Sequence, residues 1–155
     1  MVSAFLFLII VTGCSGIYEN GSELAADISP YVQQITVAEL NTKIENMEEF
    51  FLIDVRQPSE FEVGNIPYSV LIPRGVLEFK IDNEYFWEEA QWYVPKKDAD
   101  IVLYCKKGDR GILATKALLE LGYSNVKNLK GGILAWDPEF DEGGTPQKEE
   151  GGCGG

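Results

Sequence analysis

Two short stretches of this 155-residue chain are apolar at nearly every position: Phe50-Phe51-Leu52-Ile53-Asp54-Val55 and Ile101-Val102-Leu103-Tyr104. A strand that alternates apolar and polar residues needs cover on one face only, whereas an unbroken apolar strand must be covered on both. Such strands belong to a sheet held between layers of helix. The surrounding sequence supplies the helices. Thr36 precedes an amphipathic run over 37–45 and has Glu39 three positions on, the pattern of a capping box. Pro58-Ser59-Glu60-Phe61-Glu62-Val63 reads as a short helix ended by Gly64. Ile112, Ala114, Leu118, Leu119 and Leu121 mark an amphipathic helix that closes at Gly122. Further strands are predicted at Val70-Leu71-Ile72 and Val126-Lys127-Asn128-Leu129, with a final turn or helix over 131–136. Strands alternating with helices imply an α/β fold with a largely parallel sheet, whose sites form beyond the carboxyl ends of the strands.

The two ends of the chain read differently. Residues 4–11 are apolar without a period and too few to span a bilayer, which takes about 20 residues. They fit the hydrophobic region of a signal peptide, and Val11-Thr12-Gly13-Cys14 resembles a bacterial lipobox, whose cysteine is lipidated. Met1-Val2-Ser3 departs from that pattern in lacking Lys or Arg. The expectation is a signal segment over 1–14, lipid attachment at Cys14 and residence in the cell envelope on a membrane anchor, with a cytoplasmic location as the alternative. Residues 15–34, with Gly16, Gly21, Ser22, Ser29 and Pro30 and no sustained apolar period, are expected to be a flexible tether. Residues 137–155 carry six acids against one Lys plus a glycine-rich end, too polar to bury a core, so a flexible acidic tail is expected there. The folded domain is then 35–136, near the commonest domain size.

Charge and composition exclude several functions. The chain has 25 acidic and 13 basic residues, a formal charge of −12, which argues against a nucleic-acid partner. It has no histidine, which removes Ser-His-Asp and Cys-His catalysis and His-bearing metal or haem sites. Cys14, Cys105 and Cys153 are too widely spaced for a C-x-x-C pair, so no metal and no cofactor is expected.

Against that acidic background, Cys105-Lys106-Lys107-Gly108-Asp109-Arg110 gathers three cations beside a cysteine, between a buried strand and a helix N-terminus. A loop entering a helix presents backbone N–H groups, the helix dipole favours negative charge there, and Gly108 permits a strained turn. Together with Lys106, Lys107 and Arg110 these features favour the thiolate, the reactive form of cysteine, without a general base. Arg110 offers a planar fork suited to an oxyanion.

Cys-x-x-Gly-x-Arg between strand and helix resembles the active loop of the rhodanese family. Phe51-Leu52-Ile53-Asp54-Val55-Arg56 with Glu60-Phe61 is similar to the family's first signature, and Gly64-Asn65-Ile66-Pro67 to its Gly-His-Ile-Pro segment. Asn128-Leu129-Lys130-Gly131-Gly132-Ile133-Leu134-Ala135-Trp136 is similar to its C-terminal element. The resemblance implies a rhodanese-like α/β fold of about five parallel strands with helices on both faces. It also implies sulfur transfer through a persulfide on Cys105, with the loop Lys106 to Arg110 binding substrate. The implied partners are a small sulfur donor, thiosulfate or a persulfide, and a thiol or cyanide acceptor. Asn65 stands where the family often has His, Tyr68 where it often has Gly, and Gly111 where Ser is common. Four residues lie between Cys105 and Arg110, while cysteine phosphatases of related fold have five and a wider cradle. The spacing therefore favours sulfur over phosphate.

Asp54 and Arg56 are expected near the loop, either contacting substrate or pairing with each other to hold loops in place. Arg74 offers an anion contact or an ordinary surface position. Tyr85, Phe86, Trp87, Trp92 and Tyr93 could rim the site, but read better as a cluster covering the sheet. Cys153 reads as an idle thiol, with sulfur acceptance from Cys105 as the alternative. The function expected is a sulfurtransferase acting as a monomer. A non-catalytic rhodanese-like module for docking or redox sensing is the alternative.

Overall fold

The computed structural model describes residues 17–140, so the signal segment expected over 1–14, Cys14 and Cys153 lie outside the described residues. Five strands form one parallel sheet: β1 Gln33–Ile35, β2 Phe51–Asp54, β3 Val70–Leu71, β4 Ile101–Tyr104 and β5 Val126–Leu129, in the order β1-β5-β4-β2-β3. The two unbroken apolar stretches are the adjacent central strands, paired from Phe51↔Ile101 to Asp54↔Tyr104.

Alternation along those strands sorts their side chains to two covered faces. Phe51, Ile53, Ile101 and Leu103 pack with Leu77, Trp87, Ala114 and Leu118, from helices α4 Leu77–Lys80, α5 Glu84–Glu89 and α6 Asp109–Glu120. Leu52, Val102 and Tyr104 face the other way, against Leu40 of α2 Val37–Glu45 and Ile133 of α7 Gly132–Trp136. Each fully buried large apolar side chain contributes about 1.5–3 kcal/mol. The Thr36–Glu39 capping box forms at the start of α2. The helix α3 Pro58–Val63 ends at Gly64 as expected, although for a different reason. Gly64 is extended rather than left-handed, and a Cβ there would stand 2.8 Å from the Phe140 ring.

Both ends of the folded unit extend further than expected. A flexible tether was expected over 15–34, yet Gly21–Ile28 forms helix α1, capped by Asn20, and 33–35 is edge strand β1. Ala25 and Ile28 pack on Ile112 of α6, which supplies the burial that the polar segment lacks by itself. At the other end the tail expected from 137 onward begins with ordered residues, because Phe140 packs against the cluster that includes Leu40 and Ile133 and lies beside the Arg56 guanidinium. No helix among the described residues is long and apolar enough to cross a membrane.

Candidate active site

The chain leaves β2 toward β3 and leaves β4 toward β5, on opposite sides, so a crevice opens at the carboxyl ends of β2 and β4. Cys105, the residue after β4, lies at that crevice with only 2% of its surface exposed. The Gly108 N–H donates to its Sγ at 3.1 Å. Gly108 has φ +112°, a conformation that a side chain would strain. Two of the loop's carbonyls are held by α7. Cys105 O accepts from Ile133 N–H at 2.8 Å and Lys106 O from Leu134 N–H at 3.2 Å. This contact with α7 requires Gly132, whose Cβ would stand 2.2 Å from Cys105 O and 2.7 Å from Lys106 O. The loop therefore turns a donor, not an acceptor, toward the thiol. An N–H donor stabilises charge on sulfur, as oxyanion-hole donors do on oxygen.

An open pocket of about 420 Å³ lies over the thiol, and Lys106, Lys107, Asp109 and Arg110 line it. The cations are not equivalent. Arg110 donates from Nη1 and Nη2 to the Glu60 carboxylate at 2.7 and 2.6 Å, so the fork expected to meet an oxyanion is engaged by α3. That hydrogen bond holds the Glu60 carboxyl below the usual carboxylate range and raises the already high pKa of Arg110. Lys107 is exposed and lines the pocket, while Lys106 is partly buried. Asp109, the first residue of α6, accepts from Ser22 Oγ at 2.6 Å.

Asp54 and Arg56 are fully buried and paired with each other. Arg56 Nε and Nη2 donate to Asp54 Oδ2 at 2.9 and 2.8 Å, and Nη2 also donates to Gly64 O at 2.7 Å. The Tyr104 and Phe140 rings lie 5.8 and 5.3 Å from the guanidinium. Neither residue lines the pocket over the thiol. The pair ties β2 to the 64–66 turn and keeps the crevice floor in place. Burial pushes the neighbouring Tyr104 hydroxyl up, and it accepts from Ile66 N–H at 3.1 Å as a neutral group.

Other residues singled out in the sequence fall away from the thiol. Arg74 pairs with Glu78 at 2.7 Å. Trp87, Trp92 and Tyr93 pack around Phe51, at the opposite end of β2 from the crevice, so they cover the sheet and do not rim the site. Three contributors were missed. Glu60 was noted only as part of a signature and is 50 residues from the Arg110 it holds. Ser22 was assigned to the tether. Asn128 reads from sequence as strand and as the start of the C-terminal element, with no role at the loop, yet its side chain lies beneath the loop, where a Cβ on Gly111 would stand 2.0 Å from Oδ1. Among the described residues no group of three or more Cys, Asp or Glu is placed to hold a metal ion.

Fold, loop and flanking turns agree with one comparison above all: the profile of the rhodanese-like domain matches residues 36–139. The chain belongs to the rhodanese-like family. This rhodanese-like chain is 32% identical over 105 residues to a protein named sulfurtransferase from Allochromatium vinosum, covering 68% of this chain and 88% of that protein. It is 32% identical over 113 residues to thiosulfate sulfurtransferase 18 of Arabidopsis thaliana, covering 68% and 78% of the two. The solved structure of human single-domain sulfurtransferase TSTD1 superimposes with a TM-score of 0.64 at 27% identity, over 71% of this chain and 99% of that one. The five-stranded parallel sheet with helices on both faces is thus the rhodanese fold.

Proposed function

We propose that the protein is a sulfurtransferase that carries a sulfane sulfur on Cys105 from a donor such as thiosulfate to a thiol or cyanide. The observation that carries this reading is the Gly108 N–H donating to Cys105 Sγ at 3.1 Å in a loop whose Cys105 and Lys106 carbonyls are engaged by α7. The Cys105 thiolate attacks the outer sulfur of thiosulfate. A new S–S bond forms, the S–S bond of the donor breaks, and sulfite leaves with the electron pair. Lys107 holds the sulfonate end, while Arg110, committed to Glu60, adds positive potential. The resulting Cys105–S–S⁻ keeps its negative sulfur near the loop N–H groups. An acceptor thiolate or cyanide then takes the outer sulfur, and Cys105 leaves as the thiolate.

Incubation with thiosulfate should add one sulfur to Cys105 by mass spectrometry. Cyanide should remove it as thiocyanate, and Cys105→Ser should show neither event. No sulfur gain on a demonstrably free thiol would refute the reading in favour of a docking or redox-sensing module. Turnover of an aryl phosphate would point instead to phosphatase chemistry.

We further propose export and lipid anchoring through Cys14, which rests on the lipobox-like Val11-Thr12-Gly13-Cys14. In a bacterial host, Cys14→Ala should shift the protein from the membrane fraction to the soluble fraction. An unchanged distribution would refute the anchor.

A further inference from the structure

The pocket over Cys105 has a wall built from residues that precede the matched family range. Residues 36–139 are the matched range, yet Asn20, Gly21 and Ser22 line the pocket together with Lys107, Arg110 and Leu113. These three residues form the exposed first turn of α1, and that turn is fixed in place. Asn20 Oδ1 accepts from the N–H groups of Ser22 and Glu23 at 3.0 Å each, closing the cap. Ser22 Oγ donates to Asp109 Oδ2 at 2.6 Å, which ties the turn to the first residue of α6. Ala25 and Ile28 anchor the rest of α1 on Ile112. The segment read from sequence as a tether is therefore a built side of the site.

Its chemistry contrasts with the opposite side. The α1 wall is uncharged and small, whereas the opposite side carries Lys106, Lys107 and Arg110 against Asp109, with Arg110 paired to Glu60, in a chain of formal charge −12. A small anion is drawn to such a spot by the local potential. Approach is also restricted. Transfer from a persulfide requires the acceptor sulfur to come in line with the S–S bond, and Cys105 is only 2% exposed at the pocket floor. An acceptor must send its sulfur down between α1 and the loop. A free low-molecular-weight thiol can do that, whereas a cysteine on a folded protein brings its flanking backbone against the α1 turn.

We propose that the Asn20–Ser22 turn determines acceptor specificity, admitting small anionic thiols beside Lys107 and rejecting protein thiols. The inference rests on the sulfurtransferase reading. In the step concerned, the acceptor R–S⁻ bonds to the outer sulfur and the bond from that sulfur to Cys105 breaks. The electron pair stays on Cys105, and the two negative charges of the reactants are kept by R–S–S⁻ and Cys105–S⁻.

The test is single-turnover discharge of protein preloaded with thiosulfate and freed of excess donor, which separates acceptor entry from donor entry. Glutathione, reduced thioredoxin and cyanide serve as the acceptors. In the wild type, glutathione should discharge the persulfide at least tenfold faster per mole than thioredoxin. A Cβ on Gly21 meets nothing within 4 Å, so Gly21→Trp has room to fold and to crowd the mouth. It should slow glutathione tenfold or more and slow cyanide at least fivefold less. Ser22→Ala, which releases the turn from Asp109, should raise the thioredoxin-to-glutathione ratio at least threefold. Thioredoxin outrunning glutathione in the wild type, or equal slowing of glutathione and cyanide by Gly21→Trp, would overturn the wall. Failure of the wild type to take up sulfur at all would overturn the sulfurtransferase reading beneath it, and the two failures are distinguished at the loading step.

Discussion

Restoring serine at position 111, where the family commonly has it, should damage this particular protein. A Cβ on Gly111 would lie 2.0 Å from Asn128 Oδ1 and 3.1 Å from its Cγ. Contacts this short force the Asn128 side chain to move, and it is fully buried. Overpacking of this kind costs about 1–3 kcal/mol. Turning Asn128 also gives up its hydrogen bond to Gln34 Oε1, long at 3.4 Å and worth about 0.5 kcal/mol. The gain in helix propensity on replacing glycine offsets about 0.5 kcal/mol. The net expectation for Gly111→Ser is a loss of about 2 kcal/mol. Asn128→Ala behaves differently. It removes Oδ1, which is buried without a hydrogen-bond partner and therefore destabilising by about 1–3 kcal/mol, and leaves a small cavity of similar cost. The single change should be close to neutral. In the double variant the serine occupies the space that the carboxamide vacated, so most of the loss should disappear. Urea denaturation of the four proteins, at unchanged m-value, measures the coupling, expected at about 1.5–2 kcal/mol. Additive losses, or a Gly111→Ser variant within about 0.5 kcal/mol of wild type, would refute the steric argument.

Two further outcomes follow from the backbone and the charges. Tyr68 has φ +67° and is largely exposed, so it bears left-handed strain for little packing return; Tyr68→Gly should raise stability by about 1 kcal/mol in thermal unfolding, and a loss would refute this. Glu60 has its folded pKa lowered by Arg110, so its stabilisation is complete above the unfolded value of about 4.3 and is lost as pH falls through the lower folded value. Wild type should therefore lose its Tm advantage over Glu60→Gln between about pH 5 and pH 2, and a constant difference across that range would refute the linkage.

Much of the fold was legible because its signals are local. The apolar runs of β2 and β4, the Thr36–Glu39 box and the glycines at 64 and 122 announce elements without help from distant residues. Helix α1 was not legible. Its eight residues hold three apolar side chains other than Ala26, at 24, 25 and 28, and acquire a core only when Ile112 is brought against them. Strand β1 exposes Gln33 and Gln34 and buries Ile35 alone, so its sequence reads as loop until β5 offers an edge to pair with. The same distinction divides the site. The Cys105 loop lies within six consecutive residues and could be read directly. The partners of Arg110 and Asp109 were not legible, because Glu60 comes from another helix and Ser22 lies 87 residues away. Asp54 and Arg56, two positions apart, could be read as a pair because nothing distant was needed to join them.

The grip of α7 on the loop has a temporal side. Cys105 and Lys106 have their carbonyls held by the N–H groups of Ile133 and Leu134, nearly thirty residues later in the chain. As the polypeptide is synthesised, the cysteine emerges early, but the contacts that turn donors toward it arrive with almost the last residues of the domain. A chain that stops short of Gly132 would carry Cys105 as an ordinary thiol without a shaped loop around it. Completion of the domain and completion of the loop around Cys105 are thus the same event.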